Sequence, residues 1–265
     1  MPDAAFVGAI PEIYERCLGP MLFEPYARDI GRRFQGFDGE LLETAAGTGR
    51  VTRALAEASP NAAIVATDLN APMLAEAERR VRAPNVRYQT ADAQALPFPD
   101  ARFDAVVCQF GVMFFPDKPA GFSEASRVLR PGGRYVFNVW GELARNALAQ
   151  VVHDTVAGLF PHDPPAFLGR TPYGWNDRDA IESALKAAGF GEVAIETVAL
   201  PTATTSATLA AEGLCLGTPL RGEIEARGED QLDAAMQAVT RALEAKFGQG
   251  QISAPGEALV VTALR

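Results

Sequence analysis

The fold is decided by the stretch Leu41-Leu42-Glu43-Thr44-Ala45-Ala46-Gly47-Thr48-Gly49-Arg50. An apolar run enters a short glycine turn, and a helical pattern begins at Val51 directly afterwards. Because Gly47 and Gly49 carry no Cβ, the backbone can turn sharply there and approach a ligand closely. The turn also directs the first amide groups of the helix at that ligand. This arrangement predicts a site for a nucleotide-like molecule at the edge of a sheet.

Strand and helix patterns alternate regularly from Glu40, and the alternation becomes looser beyond Gly141. The strand that leads into the turn is followed by strand patterns at 63–67, 86–90, 105–110, 135–140, 193–200 and 258–265. Helical patterns of about 10–15 residues separate most of them. Such an alternation predicts right-handed βαβ units and a largely parallel, doubly wound α/β sheet.

Three acidic residues lie at the ends of three consecutive strand patterns: Glu43, Asp68 and Asp92. In a doubly wound sheet these strand ends line one crevice, beside the point where the strand order reverses. Asp68 follows Gly49 by 19 residues, a spacing at which a carboxylate can accept hydrogen bonds from both hydroxyls of a ribose. The pattern therefore predicts a nucleoside site rather than three unrelated loop residues.

The neighbouring residues suggest how a purine would be held. Leu69 offers an apolar surface for the ring, and Asp92 could accept a hydrogen bond from an exocyclic amine. Phe110 could close the far side of the ring. Chains that bind NAD through such a turn have a third glycine where this chain has Thr52, so the sequence favours a different nucleoside over NAD.

Four motifs resemble those of the class I S-adenosylmethionine-dependent methyltransferases, and most closely the small-molecule branch that includes the ubiquinone and menaquinone C-methyltransferases. The resemblance covers residues 40–140. It rests on the motifs Glu43-Thr44-Ala45-Ala46-Gly47-Thr48-Gly49, Asp68-Leu69-Asn70-Ala71-Pro72-Met73-Leu74, Ala91-Asp92-Ala93 with Leu96-Pro97-Phe98-Pro99-Asp100, and Arg127-Val128-Leu129-Arg130-Pro131-Gly132-Gly133.

The resemblance implies a Rossmann-like, doubly wound sheet of seven strands in the order 3-2-1-4-5-7-6, with the last strand antiparallel. It also implies the cofactor S-adenosyl-L-methionine. The methionine part would pass Ala45, Gly47, Thr48 and Gly49, although the family usually has glycine where this chain has Ala45. The resemblance assigns the ribose to Asp68, the adenine to Leu69, Met73, Asp92 and Ala93, and the border of the methyl group to Gln109 and Phe110.

The chain outside 40–140 is expected to complete a single methyltransferase domain over 1–265. Residues 1–38 carry aromatic side chains between prolines and predict a helical lid or packing against the outside of the domain. Residues 201–256 separate the last two strand patterns and predict a helical cap, with Leu232, Met236, Val239 and Leu243 as the buried stripe of one helix. The alternatives for that stripe are a thicker core and a dimer contact, so a homodimer is possible.

Composition limits the possible partners. A net charge of −9 argues against nucleic acid and anionic membrane surfaces. The three scattered cysteines form no metal spacing and suggest a reducing, cytoplasmic setting. The N-terminus lacks the pattern of a signal peptide, and no apolar run reaches the length of a membrane span.

The predicted function is methyl transfer to a small, partly apolar acceptor, achieved mainly by alignment of the reactants and exclusion of water. His153, in a helical pattern among valines, is the weak candidate for a base, and a packed or exposed helix residue is the alternative. No metal site is expected. The competing hypotheses are a non-catalytic S-adenosylmethionine-binding protein and an NAD-dependent oxidoreductase.

Overall fold

The computed structural model describes residues 10–228 and 230–265, so Phe6 of the predicted lid lies outside the described residues. The chain divides into two compact units. Unit 1 comprises the described part of Met1–Pro25 together with Trp140–Trp175 and Ala199–Glu257. Unit 2 comprises Tyr26–Val139, Asn176–Val198 and Ala258–Arg265. The glycine turn therefore belongs to unit 2, and most of the predicted lid and cap belongs to unit 1.

The strands form one large sheet and one small one. They are β1 (Glu40–Glu43), β2 (Ala63–Asp68), β3 (Val86–Thr90), β4 (Phe103–Gln109), β5 (Leu129–Trp140), β6 (Val193–Ala199), β7 (Thr202–Thr204), β8 (Ile252–Ala254) and β9 (Glu257–Leu264). The seven-stranded sheet has the order β3-β2-β1-β4-β5-β9-β6, and β7 pairs with β8. The predicted order is confirmed, with β9 as the seventh strand of the prediction.

The strand directions follow from the backbone hydrogen bonds. β1 is parallel to β2 and β4, and the β2–β3 and β4–β5 pairs are parallel as well. Gly132 N–H donates to Arg265 O at 2.9 Å, and Gly141 N–H donates to Glu257 O at 3.0 Å. Because early residues of β5 meet late residues of β9, these two strands are antiparallel.

The helices connect these strands. They are α1 (Ile10–Ile13), α2 (Glu24–Arg33), α3 (Arg50–Ala58), α4 (Ala71–Arg80), α5 (Lys118–Val128), α6 (Ala147–Leu159), α7 (Phe167–Arg170), α8 (Arg178–Ala187), α9 (Ala207–Leu216), α10 (Leu220–Glu225) and α11 (Gln231–Phe247). A π-helix at Tyr14–Phe23 and short 3₁₀ turns at Val112–Phe114 and Leu143–Arg145 complete the set.

The N-terminal segment differs from the short, proline-broken helices that the sequence predicted. Helical structure continues from α1 through the π-helix into α2, although Pro20 lies inside the π-helix. Proline has no N–H, so Pro20 donates no helical hydrogen bond, and the helix is of the π type around it. Pro25 lies in the first turn of α2, where proline is tolerated.

The core of unit 2 lies between the sheet and the helices on one of its faces. Ile30 and Phe34 of α2 and Leu55 of α3 are fully buried there against strand residues such as Leu41 and Val107. The central strands, such as β1 and β4, are nearly continuous apolar runs because both of their faces are covered. This packing fixes the strand ends, and with them the glycine turn.

Unit 1 is mainly helical, and α9 and α11 lie within the segment 201–256 for which the sequence predicted helices. α11 packs against α6 and α9, and α9 also packs against the π-helix. The predicted stripe on α11 is only partly right: Val239 and Leu243 are buried together with Ala235, whereas Leu232 and Met236 are half-buried. The small β7–β8 sheet and the short helices α7 and α10 were not predicted.

The helices carry no sign of a transmembrane span. None of those in the described part of the chain combines the length and the apolar character that crossing a membrane requires.

Candidate functional site

The glycine turn after β1 is built from left-handed backbone conformations. Ala45, Gly47 and Gly49 have φ angles of 53°, 56° and 85°. A Cβ on Gly49 would lie 3.0 Å from Ala77 Cβ, so glycine lets α3 begin close to α4. A Cβ on Gly47 would meet nothing within 4 Å, so the turn is open above this residue. The loss of the family's first glycine thus leaves the turn intact but places Ala45 in a conformation that costs an L-residue about 1–2 kcal/mol.

Glu43 is a buried acidic residue directly before the glycine turn. Its side chain is buried, and Thr52 Oγ1 of α3 donates to its Oε2 at 2.7 Å. Burial raises the pKa of the Glu43 carboxyl to about 8, and the hydrogen bond from Thr52 opposes that rise while the charge of Asp68 adds to it. Thr52, at the position of the third glycine in an NAD-binding turn, therefore holds Glu43 rather than clearing space for a pyrophosphate.

Asp68, at the end of β2, is held by the backbone on both sides. Gly47 N–H donates to its Oδ2 at 2.8 Å, and Asn70 N–H donates to its Oδ1 at 2.8 Å. Burial raises the pKa of Asp68, and the hydrogen bonds from Asn70 and Gly47 counteract the rise. Oδ2 has a second lone pair, so it can still accept from a ligand hydroxyl.

Asn70 is the N-cap residue of α4, but its side chain does not cap the helix. The Asn70 amide group turns back and donates to Asp68 Oδ1 at 3.3 Å. The residue therefore orients the carboxylate of Asp68 instead.

The two apolar residues assigned to adenine have different surroundings. Leu69 is 58% exposed and directly follows the buried carboxylate of Asp68. Met73 is 4% exposed and lies on the buried face of α4. The exposed side chain of Leu69 can therefore contact a flat ring. The buried side chain of Met73 packs inside the protein instead.

Asp92 and Ala93 begin the loop after β3. Asp92 Oδ1 accepts hydrogen bonds from the backbone N–H of Gln94 at 2.8 Å and from its side-chain amide at 3.2 Å. Gln94 is fixed in turn, because its Oε1 accepts from Asp117 N–H at 2.8 Å. Asp92 is thereby oriented while its side chain remains partly exposed.

Arg127 holds the part of this loop around Leu96 and Phe98, a role that the sequence did not predict. Its guanidinium donates to Leu96 O at 3.0 Å and to Phe98 O at 2.8 Å. It also pairs with Glu124 at 2.7 Å, and Glu124 accepts from Leu96 N–H at 2.6 Å. The hydrogen bond from Arg127 lowers the pKa of Glu124. The signal in the sequence was the arginine three residues after a glutamate on a helix, a spacing that is ambiguous because it also occurs on solvated helix faces.

Gln109 and Phe110 lie where β4 ends. Phe110 has a φ of 51°, and its ring packs edge-on against Tyr26 with centroids 5.3 Å apart. The next residue, Gly111, touches the glycine turn: a Cβ there would lie 2.5 Å from Ala45 Cβ. The end of β4 is therefore packed tightly against the turn after β1.

The predicted cofactor residues all belong to unit 2, whereas His153 belongs to unit 1. His153 lies in α6 and is half-buried. No group of three or more His, Cys, Asp or Glu within 10–228 and 230–265 is arranged to hold a metal ion.

Comparisons with known proteins bear on the cofactor. A family model described as "Methyltransferase domain" matches residues 41–133. The demethylmenaquinone methyltransferase of Thermus thermophilus is 47% identical over 98 residues, which cover 36% of this chain and 44% of that protein. The ubiquinone/menaquinone biosynthesis C-methyltransferase UbiE of Caulobacter sp. is 30% identical over 185 residues, which cover 63% of this chain and 73% of that protein. The chain belongs to the class I S-adenosylmethionine-dependent methyltransferase family.

The structural comparison agrees on the fold of this methyltransferase. Phosphoethanolamine N-methyltransferase 2 of Haemonchus contortus, solved with S-adenosylhomocysteine, superposes with a TM-score of 0.61 at 20% identity, covering 96% of this chain and 56% of that one. The match to the Thermus protein spans less than half of that protein's length.

The residues of this methyltransferase fit the family's cofactor, S-adenosylmethionine. Gly47 leaves open space above the turn, the Asp68 carboxylate is fixed beside it, and the exposed Leu69 follows at once. A sulfonium nucleoside needs this combination of a backbone cradle, an acceptor for a ribose diol and an apolar surface. It carries no phosphate, so the absence of a third glycine at Thr52 is consistent with it.

Proposed function

We propose that the protein transfers a methyl group from S-adenosylmethionine to a small, partly apolar acceptor. The observation that carries this proposal is the fixed Asp68 carboxylate, which joins the glycine turn through Gly47 N–H and lies directly before the exposed Leu69. In this proposal Asp68 accepts from the ribose, Leu69 covers one face of the adenine, and Asp92 accepts from the adenine amine. The cofactor supplies an electrophilic methyl group and its own leaving group.

The acceptor class is a hydroxylated aromatic ring, with a reduced demethylated quinone as the first candidate. The support is the family, since the Thermus and Caulobacter relatives are named for methylation in menaquinone and ubiquinone synthesis. The electron pair of the ring carbon forms the new C–C bond, the S–CH₃ pair returns to sulfur, and the ring proton leaves to solvent. The protein's task is to bind and orient the ring and to exclude water.

The test of the cofactor role is isothermal titration calorimetry of S-adenosylhomocysteine with wild type and Asp68→Ala. Loss of charge-assisted hydrogen bonds is expected to weaken binding about 10- to 150-fold. Asp38→Ala, at an exposed aspartate outside the site, is the matched control and should bind like wild type. Unchanged affinity in Asp68→Ala, or tighter binding of NAD than of S-adenosylhomocysteine, would disprove the assignment.

The test of the transferase role is turnover with radiolabelled S-adenosylmethionine and a short-chain demethylmenaquinol. Labelled product is expected for an enzyme. Binding of the cofactor without labelling of any acceptor from a panel of hydroxyarenes would disprove the proposed acceptor class and would favour the competing hypothesis of a non-catalytic binder.

A further inference from the structure

Asn138 is a polar residue inside an otherwise apolar part of β5. It is fully buried, as are its neighbours Phe137 and Val139. In the parallel β4–β5 register it lies opposite Gln109, the last residue of β4. An asparagine at such a position loses its hydration and needs hydrogen-bond partners inside the protein.

The orientation of the Asn138 carboxamide is set by the backbone. Phe110 N–H donates to Asn138 Oδ1 at 2.9 Å. An N–H group can only donate, so the atom facing it must be the oxygen, and the NH₂ group is turned away from Phe110 N. Phe110 N–H also donates to the backbone oxygen of Asn138 at 3.1 Å.

The NH₂ group is left without an acceptor. Within residues 10–228 and 230–265, no atom accepts a hydrogen bond from Asn138 Nδ2, although the atom is buried. A buried donor without a partner destabilises the folded state, whereas an apolar side chain of similar shape would not. Folding alone therefore does not favour asparagine at this position.

The position of this donor relates it to the reaction. Its carboxamide is bonded to Phe110, and the following Gly111 touches Ala45 of the glycine turn. The carboxamide that carries the donor is thus bonded to the residue directly before Gly111. Gly111 in turn contacts the glycine turn, to which the methionine part of the cofactor is assigned.

We propose that Asn138 Nδ2 donates a hydrogen bond to a ring oxygen of the methyl acceptor and so orients the ring for transfer. This inference rests on the proposed acceptor class, a hydroxylated aromatic ring. A hydroxyl or oxyanion oxygen is the complement of a buried NH₂ group, because either can accept without supplying a competing donor. The cofactor carboxylate presents the same chemistry, so the test must separate the two sources of oxygen.

The test uses Asn138→Leu, which removes the donor and keeps the approximate shape. Phe110 N–H retains its bond to the backbone oxygen of residue 138, so the variant is expected to fold with an unchanged or higher melting temperature. Asn146→Leu is the matched stability control. Asn146 is also buried, but its amide donates to Glu142 O at 3.0 Å and to Glu257 O at 3.1 Å, so its loss should lower the melting temperature.

Three measurements on wild type and Asn138→Leu decide the assignment: melting temperature, affinity for S-adenosylhomocysteine, and kcat/KM for a short-chain demethylmenaquinol and a panel of hydroxyarenes. The expected result is a fall in kcat/KM of about 10- to 150-fold, with cofactor affinity and melting temperature maintained. Equal loss of cofactor affinity would assign the donor to the cofactor carboxylate and overturn the acceptor role. Wild-type kinetics in the variant, or a melting temperature as low as that of Asn146→Leu, would assign it no role in catalysis. If wild type methylates none of these compounds, the proposed acceptor class is wrong and the Asn138 assignment fails with it.

Discussion

The side chain of Ala45 occupies the space next to Gly111. Ala45 is in a left-handed conformation that favours glycine, and a side chain on Gly111 would meet Ala45 Cβ at 2.5 Å and Cys108 Sγ at 2.7 Å. The Ala45 methyl group, at a position where the family usually has glycine, therefore occupies space that a side chain at residue 111 would need.

We expect Ala45→Gly to stabilise the protein by about 1 kcal/mol, because relief of the left-handed conformation exceeds the added entropy of the unfolded chain. Gly111→Ala should destabilise it, and the double variant should recover part of that loss while the contact with Cys108 persists. Chemical denaturation of the four proteins gives the coupling free energy. Strictly additive effects would show that the two positions do not compete for space.

Glu43 should make stability depend on pH. Its pKa is raised in the folded state, to about 8 from an ordinary value near 4.5, so its contribution is fully present below the unfolded pKa and is lost as pH rises through the folded one. We expect wild type to lose stability relative to Glu43→Gln between about pH 4.5 and 8, since glutamine mimics the neutral acid and keeps an acceptor for Thr52. Urea denaturation at pH 5 and pH 8 measures this difference. A difference between the two proteins that is the same at both pH values would contradict it.

At the scale of elements, the loop after β3 is held by a helix rather than by its own sequence. Arg127 and Glu124 of α5 bind its backbone at Leu96 and Phe98. The loop carries Asp92 at one end, so the order of the loop and the position of the adenine contact are coupled through α5.

We expect Arg127→Ala to weaken S-adenosylhomocysteine binding about 5- to 20-fold by loosening this loop, with Arg127→Lys intermediate. Arg130→Ala is the matched control, because Arg130 pairs with Asp104 and Glu40 instead of the loop. Calorimetry with S-adenosylhomocysteine and with its analogue lacking the adenine amine should show a smaller penalty for the analogue. An equal penalty for both ligands would mean that Arg127 acts on general stability.

For the whole molecule, the division into two units suggests separate tasks. The proposed cofactor residues are all in unit 2, while residues 201–256 belong to unit 1. The ends of this insertion are already joined, because Thr202 pairs with Ala254 in the small β7–β8 sheet. The assignment of lid and cap to acceptor selection remains a prediction.

Replacing 203–254 with a short turn should preserve S-adenosylhomocysteine binding and abolish acceptor turnover. The deletion also uncovers the side of α6 that packs against α11, so cofactor affinity serves as the measure that unit 2 has folded. Leu243→Ala, at a fully buried position of α11, is a milder variant with the same expected direction, and the exposed Arg241→Ala is its control. Retained turnover with the same acceptor selectivity would refute the assignment of residues 201–256 to acceptor selection.

The resemblance to the family supplied the sheet order and the proposed cofactor residues, whereas the sequence by itself determined the alternation of strands and helices and the glycine turn. These features depend on short-range patterns: apolar strands, glycines at a turn, and acids at strand ends. Local patterns also located α9 and α11 in the insertion. They did not reveal which face of α11 is buried at Ala235, because that depends on the helices packed against it.

Only the tertiary structure decided which polar groups are satisfied. Thr52 donates a hydrogen bond to Glu43, and Arg127 holds a loop 29–31 residues away in the chain. Among the residues that the structure describes, the side-chain oxygen of Asn138 accepts a hydrogen bond, whereas its NH₂ group has no acceptor. Each of these results depends on atoms that are distant in sequence and brought together by folding. The physical reason is that hydrogen-bond satisfaction depends on distances and angles between elements, which residue types and spacing do not fix.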